Sequence, residues 1–313
     1  MSICRWFKKL TGEKVLQENG VDVPTVIEIS PIPPPPATPK VYDKGLTPDK
    51  VTSNYDLRLI IDTQAKLDDF LKDSNGRVVV RNSGGPWFKN LNLVNLDFLQ
   101  CDNVWTVLFE NVELVKCKHI EGINGKTGVE LKGETHLECD LLVGRNNFRI
   151  EGSNNQGEAL ICNSEDSSFY IKRLISSESG DSAIDNKGVG VVDYIESNLD
   201  NGGVKNHNRL TIHGGKITNC GRGKRTSFGY GVQSRADGGQ DAITFLGSVT
   251  IENCKTPDQS IKASVVTSGK KAIVDIYGQS TVKRPAGYTG SVFSEVGLGA
   301  DIPQSSRDKV TVI

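Results

Sequence analysis

The sequence FRI at residues 148–150 is followed by FYI at 169–171, VVD at 191–193 and LTI at 210–212. Equivalent points of these stretches are occupied by Ile150, Ile171, Val192 and Ile212, whose sequence numbers increase by 21, 21 and 20. A near-constant spacing of this size is typical of a solenoid, in which each coil contacts only its neighbours. We therefore predict that these four apolar side chains stack in successive coils.

The same period extends to both sides of this stretch. The numbers of Leu93 and Leu114 also differ by 21, and those of Ile212 and Ile251 differ by 39, which is close to two coils. Ile-Thr-Asn-Cys at 217–220 is echoed by Ile-Glu-Asn-Cys at 251–254. A leucine-rich repeat would need a recurring Leu-x-x-Leu-x-Leu framework, which the chain lacks, and a β-sandwich would not keep a constant spacing. Short strands that end in turn residues at this period predict a parallel β-helix.

Residues 56–89 predict a cap at the N-terminal end of the solenoid. Leu57–Ile61 has the pattern of a strand, Asp62 or Thr63 can cap a following amphipathic helix, and Val78–Val80 forms a second strand after a glycine turn. The apolar face of the helix would cover the first coil, whose hydrophobic end would otherwise meet water.

The cap helix, the Gly-Arg-Val-Val-Val entry at 76–80 and the Ile-x-Asn-Cys coils resemble the pectate-lyase-like superfamily of right-handed parallel β-helices. The resemblance covers residues 56–300 and concerns the fold. It implies an all-β, single-stranded right-handed parallel β-helix at 90–300, with coils of about 20–25 residues, an N-terminal capping α-helix and a C-terminal tail or cap at 301–313. The superfamily includes sugar-cleaving enzymes, bacteriophage tailspikes and structural virion proteins, so the fold leaves the function open.

The composition is that of a turn-rich protein with balanced charge. The 313 residues include 33 glycines, and 37 basic side chains stand against 38 acidic ones, so no overall field would gather nucleic acid or an anionic membrane. The seven cysteines contain no Cys-x-x-Cys pair, and the four histidines have no partner at metal-binding spacing. We expect free thiols made in a reducing cytoplasm, no metal, and no other cofactor. No run of about 18 apolar residues occurs, so a membrane partner is not expected.

Residues 1–55 differ in composition from the rest of the chain. Ile3, Trp6, Phe7 and Leu10 follow the i, i+3, i+4, i+7 pattern of a short amphipathic helix within residues 1–18. So short a helix is marginal alone in water, which favours docking on a partner surface over a membrane. Residues 19–55 are rich in proline and predict an extended, semi-rigid linker. A disordered tail is the alternative for this region.

The sequence gives little support for any particular catalytic residue. The polygalacturonase-type motifs of the superfamily are missing, and the Asp-Asp pair at 68–69 falls on the cap helix. The best acidic group comprises Asp181, Asp185 and Asp193, because glycoside cleavage needs paired carboxylates. A second group comprises Glu158, Glu165 and Asp166. The competing interpretation is that acids in turns bond to local backbone and keep the surface soluble.

The segment 221–231, GRGKRTSFGYG, is the most unusual loop, with three bases and two aromatic residues among four glycines. Its candidate ligand- or partner-binding residues are Arg222, Lys224, Arg225, Phe228 and Tyr230, together with Arg235 just beyond. Bases can meet an anionic ligand and aromatic rings can stack on sugars or bases. A contact with a neighbouring subunit is the favoured alternative, since loops on a scaffold often serve recognition.

Three functional hypotheses remain. The order of docking helix, linker and capped β-helix resembles a bacteriophage virion appendage, which would be assembled in the bacterial cytoplasm and bound to other virion proteins through residues 1–40. Such a capsid decoration, collar or whisker, or fibre-like protein is expected to be a homo-oligomer that can contact host glycans. The second hypothesis is a tailspike-type enzyme that degrades polysaccharide, and the third is a cytoplasmic binding or counter-defence protein.

Overall fold

The computed structural model describes residues 38–147, 157–221, 229–236, 240–254 and 263–313, which belong to a compact unit spanning Ala37–Ile313. The predicted helix at 1–18, with Ile3, Trp6, Phe7 and Leu10, lies outside the described residues, and so does the first part of the predicted linker.

The described residues form twenty strands and two α-helices. The strands are β1 (Lys40–Asp43), β2 (Arg58–Ile61), β3 (Arg77–Ser83), β4 (Gly85–Val104), β5 (Val107–Ile123), β6 (Val129–Lys132), β7 (His136–Arg145), β8 (Leu160–Cys162), β9 (Ser168–Ser177), β10 (Ser182–Asn186), β11 (Val189–Asn198), β12 (Gly202–Asn206), β13 (Arg209–Thr218), β14 (Val232–Ala236), β15 (Ala242–Glu252), β16 (Val265–Gly269), β17 (Ala272–Ile276), β18 (Ser280–Lys283), β19 (Phe293–Val296) and β20 (Val310–Val312). The helices are α1 (Gln64–Leu71) and α2 (Gln304–Arg307).

Every strand pairing in the described chain is parallel and joins one coil to the next, so the fold is a parallel β-helix, as the sequence predicts. One series runs through β7, β9, β11, β13 and β15. A second runs through β6, β8, β10, β12, β14, β16 and β19. The chain passes from one series to the other within each coil, because parallel neighbours cannot be joined by a tight hairpin.

The predicted stacking is confirmed for three residues and needs two corrections. Ile171, Val192 and Ile212 pair in successive coils. Ile150 lies outside the described residues, and the residue that pairs with Ile171 on the preceding coil is Cys139. Ile212 pairs with Leu246, one coil further on. The separation from Ile212 to Ile251 is therefore not two coils, because Ile251 pairs with Ile217 in the same two strands.

Most of the core consists of aliphatic side chains that stack along the inside of the solenoid, with phenylalanines and cysteines among them. In the second series, an inward row is formed by Val129, Leu160, Ile184, Val204, Val232 and Val265, all completely buried. Burying one such side chain stabilises the fold by about 1.5–3 kcal/mol. The row continues without interruption from coil to coil, which explains why the apolar residues recur at the coil period.

The N-terminal end is closed by α1. The hydroxyl of Thr63 accepts a hydrogen bond from the amide of Lys66, which makes Thr63 the N-cap. Phe70 is buried and packs edge-on against Phe88, with ring centroids 5.5 Å apart. The predicted helix therefore caps the first coil.

Regular structure reaches further at both ends than the sequence indicates. Strand β1, within the predicted linker 19–55, pairs with β3 in the first coil. Strand β20, within the predicted C-terminal segment 301–313, pairs with β18. The β-helix body consequently begins near residue 40 and includes Val310–Val312.

A ladder of asparagines marks one turn of successive coils. Six of them, at 82, 103, 124, 146, 219 and 253, have φ between +52° and +55°. Asparagine tolerates this left-handed conformation better than most residues. Its side chain also bonds to the equivalent asparagine one coil away, as when Asn146 donates to Asn124 at 2.6 Å and Asn253 donates to Asn219 at 2.7 Å. The asparagine ladder holds adjacent coils in register at the turn.

Candidate functional site

Asp185 lies in the second series of strands, and Asp181 directly precedes the same strand. Asp185 is on β10, in a row that runs from Ile161 on β8 through Asp185 to Lys205 on β12 and Gln233 on β14. This row faces away from the inward row of aliphatic side chains, because side chains alternate between the two faces of a strand. It is nevertheless buried, and both aspartates have no exposed surface.

Lys205 places one positive charge beside both carboxylates. Its Nζ is 2.7 Å from Oδ2 of Asp185 and 3.5 Å from Oδ1 of Asp181. His207, two positions further along the chain, places Nε2 3.3 Å from Oδ1 of Asp185. Burial opposes ionisation of Asp185, but the contact with His207 and the charge of Lys205 hold the pKa of Asp185 below its ordinary value. We call Glu158, Asp181, Asp185, Lys205 and His207 the buried ion cluster.

Glu158 is the remaining member of the buried ion cluster, and its environment differs from that of Asp185. Its Oε2 accepts hydrogen bonds from the amide of Gly157 at 2.9 Å and from the hydroxyl of Thr127 at 3.3 Å. Its Oε1 is buried and has no hydrogen-bond partner among the described residues. Burial, followed by the charges of Asp181 and Asp185, raises the pKa of Glu158 to about 8. Glu158 therefore carries a proton at neutral pH, while Asp185 is ionised.

Tyr230 packs over one side of this cluster. Its hydroxyl is 2.9 Å from Oγ of Ser182, and Ser182 in turn donates to Oδ1 of Asp181 at 3.1 Å. The ring lies against Gly202, where an added Cβ would come within 2.6 Å of it. Only 2% of Tyr230 is exposed, so the ring is packed within the protein and is not available to stack on a ligand at the surface.

The other residues predicted from the basic loop are placed only in part. Arg235 is exposed near the end of β14, where it pairs in register with Ser268. Arg222, Lys224, Arg225 and Phe228 lie outside the described residues. Ligand or partner binding by this loop stays a prediction.

Asp193 does not join the buried ion cluster. It lies on β11, in the first series of strands, and accepts a hydrogen bond from the hydroxyl of Tyr170. This bond, with burial as a smaller cause, raises the pKa of Tyr170 to about 12. The structure thus brings together Asp181, Asp185 and Glu158, but not Asp193. The other members of the second acidic group, Glu165 and Asp166, are exposed.

Sequence reasoning missed Lys205 and His207, although a signal was present. The sequence numbers of Asp185 and Lys205 differ by one coil period, and the strand register places the two residues side by side. Extending the coil period from apolar to charged residues would have paired them. The period alone would not have indicated burial, because the row lies on the outer face of its strands.

Chemically, the cluster holds a protonated carboxyl beside an ionised one, the separation of pKa values that acid–base catalysis uses. Its carboxylates are fully buried, however, and each has a charged or hydrogen-bonding neighbour that holds it in place.

Within the described part of the chain, no group of three or more His, Cys, Asp or Glu side chains could hold a metal ion. Nor does that part contain a helix long and apolar enough to span a membrane.

An open polar groove of about 670 Å³ lies elsewhere on the surface. Its lining includes Asn90, Asn111, Glu113, Glu134, His136 and Asp166. His136 is anchored there, with Nδ1 2.8 Å from Oγ of Ser168. The groove offers both hydrogen-bond donors and acceptors to solvent.

Comparison with known proteins adds no relative: no protein-family model, curated protein or solved structure matches this chain.

Proposed function

We propose that this protein is a non-enzymatic structural component of a bacteriophage particle, a capsid decoration, collar or whisker, or fibre-like protein of the virion. In this proposal the N-terminal segment attaches the chain to other virion proteins, and the β-helix is displayed as a rigid body. The observation that carries the proposal is the state of the candidate catalytic acids. Asp181 and Asp185 are buried and bound to Lys205 and do not line an open cleft.

Two further features support a display role. The aliphatic row and the asparagine ladder join each coil to the next, which suits a body that must keep its form outside the cell. The compact unit begins at Ala37, so an attachment role for the segment before it would not require any part of the β-helix. The pectate-lyase-like resemblance, which includes phage tailspikes and structural virion proteins, favours the same context.

Deletion of residues 1–36 is expected to leave a folded body that no longer joins particles. Strand β1 begins at Lys40, whose Nζ donates to the carbonyl of Asp69, so the deletion ends before this contact with the cap. The measurement is incorporation of full-length and truncated protein into phage particles purified from infected cells, with circular dichroism to verify the fold of the truncated body. Normal incorporation of a folded truncated protein would contradict the attachment role.

The polar groove is our candidate for contact with host glycans. Its asparagine, histidine and carboxylate side chains match the hydrogen-bonding character of sugar hydroxyl groups. This contact would be binding without cleavage and would be secondary to the structural role.

A tailspike-type enzyme is the second candidate function, favoured by the protonated Glu158 beside Asp181 and Asp185. Under the structural proposal, purified protein leaves host capsular and O-antigen polysaccharides at full length, as measured by size-exclusion chromatography of the glycan. If the wild type shortens these polysaccharides and the Asp185→Asn variant leaves them intact, the enzymatic proposal would replace the structural one. A digestion that this variant performs equally well would point to a contaminating enzyme.

A further inference from the structure

Six charged or titratable residues form a straight row on the outside of the first series of strands and of the two coils before it. We call this row the charge ladder: Asp97, Lys118, Asp140, Lys172, Asp193 and His213. Each follows directly after one of the inward residues Leu96, Cys117, Cys139, Ile171, Val192 and Ile212, which pair coil by coil. With parallel strands about 4.8 Å apart, the ladder extends over about 24 Å.

The charge ladder alternates in sign from one coil to the next. Within one chain, Lys118 lies 2.8 Å from Asp97 and Lys172 lies 2.6 Å from Asp140. His213, which is positive when protonated, lies 4.0 Å from Asp193. All six side chains remain between 41% and 71% exposed, so each can accept a second partner from outside.

We propose that the charge ladder is the interface through which two copies of this chain associate, with their solenoids antiparallel about a two-fold axis. The argument is one of symmetry. A row in which three acidic and three basic groups alternate, when it is turned end to end, presents a basic group opposite every acidic one. Lys118 then faces the partner copy's aspartate at position 193, the two central positions 140 and 172 face each other, and the two ends of the ladder, 97 and 213, do the same.

The alternation selects this arrangement over the parallel one. In a two-fold dimer the same surface patch is used by both copies. Two parallel ladders in register would place aspartate against aspartate and lysine against lysine, which costs several kcal/mol in a specific interface. The two-fold axis of the antiparallel dimer passes between Asp140 and Lys172, at the middle of the ladder, and runs along the strands, across the solenoid axis.

A second outward row, nearer the start of the same strands, supplies apolar contact in this arrangement. It consists of Leu93, Leu114, His136, Ser168, Val189 and Arg209. Val189 is 43% exposed, which is high for a large aliphatic side chain. The two-fold operation brings Leu114 of each copy opposite Val189 of the other. Exposed ion pairs contribute little affinity each, so the apolar pairs provide affinity while the ladder sets orientation and register.

The row between these two is compatible with the same pairing. It contains Asn95, Lys116, Glu138, Tyr170, Val191 and Thr211. Turned end to end, it sets Glu138 opposite Tyr170 and Lys116 opposite Val191. No two like charges meet across the axis in this row.

Two complementary charge reversals test the proposal. Asp140→Lys alone creates two like-charge contacts at the axis, because each substituted side chain would face Lys172 of the other copy. Lys172→Asp alone creates two contacts between negative groups, because each would face Asp140 of the other copy. Each variant is expected to weaken its own dimer by about 100-fold or more. When the two variants are mixed, every position of the ladder again faces an opposite charge, and a heterodimer is expected.

The measurement is molar mass by light scattering during size-exclusion chromatography, on the full chain at moderate ionic strength. The expected result is a wild-type dimer, two monomeric variants, and a dimer in the mixture. Lys216→Asp is the matched control: Lys216 is 55% exposed, pairs with Glu252 and lies outside the ladder, so this variant stays dimeric. Mixing cannot repair the Asp140–Lys172 pair within either chain, so recovery of the dimer can only come from contacts between copies.

A monomeric wild-type protein, or Asp140→Lys and Lys172→Asp variants that remain dimeric, would overturn the proposal. So would a mixture that stays monomeric when both variants retain the wild-type unfolding midpoint. The inference does not depend on the proposed virion role, and a dimer that fails to enter particles would separate the two. Because His136 and Ser168 belong both to the polar groove and to the second outward row, glycan contact at this groove would be confined to the monomer.

Discussion

Replacing Lys205 with methionine is expected to destabilise the fold by about 3–5 kcal/mol, because it leaves two carboxylates buried without a counter-charge. Lys205 is 5% exposed, and neither Asp181 nor Asp185 has any exposed surface. Methionine keeps most of the volume of lysine, so the loss would reflect charge more than packing. Urea unfolding at pH 7, followed by circular dichroism, measures the change.

The control for this variant is Lys216→Met. Lys216 also pairs with an acid, Glu252 at 3.4 Å, but is 55% exposed, and we expect a loss within about 0.5 kcal/mol. A double variant that adds Asp185→Asn to Lys205→Met should recover part of the loss, since it removes one of the uncompensated charges. Equal effects of the Lys205 and Lys216 substitutions would contradict the role given to the buried ion cluster.

Lowering the pH should reduce the difference in the free energy of unfolding between the Lys205→Met variant and the wild type. In the wild type the pKa of Asp185 is held below its ordinary value, so the stability that this carboxylate contributes is present at neutral pH and is lost as the pH falls through its folded pKa. In the variant, Asp185 loses the charge of Lys205 that favours its ionised form, so it should take up a proton more readily, which removes its buried charge. A constant difference between pH 7 and pH 4 would argue against charge as the cause.

Glu158 is expected to make the protein less stable as the pH rises from about 4.5 to 8. The folded state binds a proton at Glu158 up to a pKa of about 8, whereas the unfolded chain releases it near 4.5. Because the native state holds more protons in this window, the free energy of unfolding falls as the pH increases and levels off above pH 8. A pKa shift of this size corresponds to a change in the free energy of unfolding on the order of 5 kcal/mol across this pH range.

Glu158→Gln removes this titration and should become progressively more stable relative to the wild type as the pH rises from 5 to 9. Burial raises the pKa of Asp200 to about 6, so Asp200 also lowers the free energy of unfolding as the pH rises. Because Asp200 is present in both proteins, its contribution cancels when the two are compared. Glu165→Gln is the exposed control and should follow the wild-type curve. Parallel curves for Glu158→Gln and the wild type would show that Glu158 is ionised in the folded protein.

The fold could be predicted from the sequence where coils have similar length. Ile171, Val192 and Ile212 stack at a near-constant spacing, because an inward row must be apolar in every coil. The prediction was wrong before Ile171, whose neighbour on the preceding coil is Cys139. The chain between Cys139 and Ile171 is longer than one coil period, so the period points to Ile150 in its place.

The candidate site was predicted less well, since Asp181 and Asp185 were identified without the lysine that pairs with them. Turn acids are usually exposed, and nothing in the sequence pattern indicated that these two are buried. Their outer face is covered in part by Tyr230, which with Ala263 and Val266 forms a second apolar cluster separate from the core. Residues so distant in sequence meet only once the coils are stacked.

The sequence by itself determined that this protein is a solenoid with an N-terminal cap, and that Ile171, Val192 and Ile212 are equivalent in successive coils. The physical reason is local: each coil repeats the same inward aliphatic positions at nearly the same spacing. Tertiary structure alone decided which charges are buried and which are exposed. Asp185 and Asp193 both point away from the core. Asp185 is nevertheless buried beside Lys205, whereas Asp193 is exposed in the charge ladder. That difference depends on what packs over each outer face, and a repeat period contains no information about it.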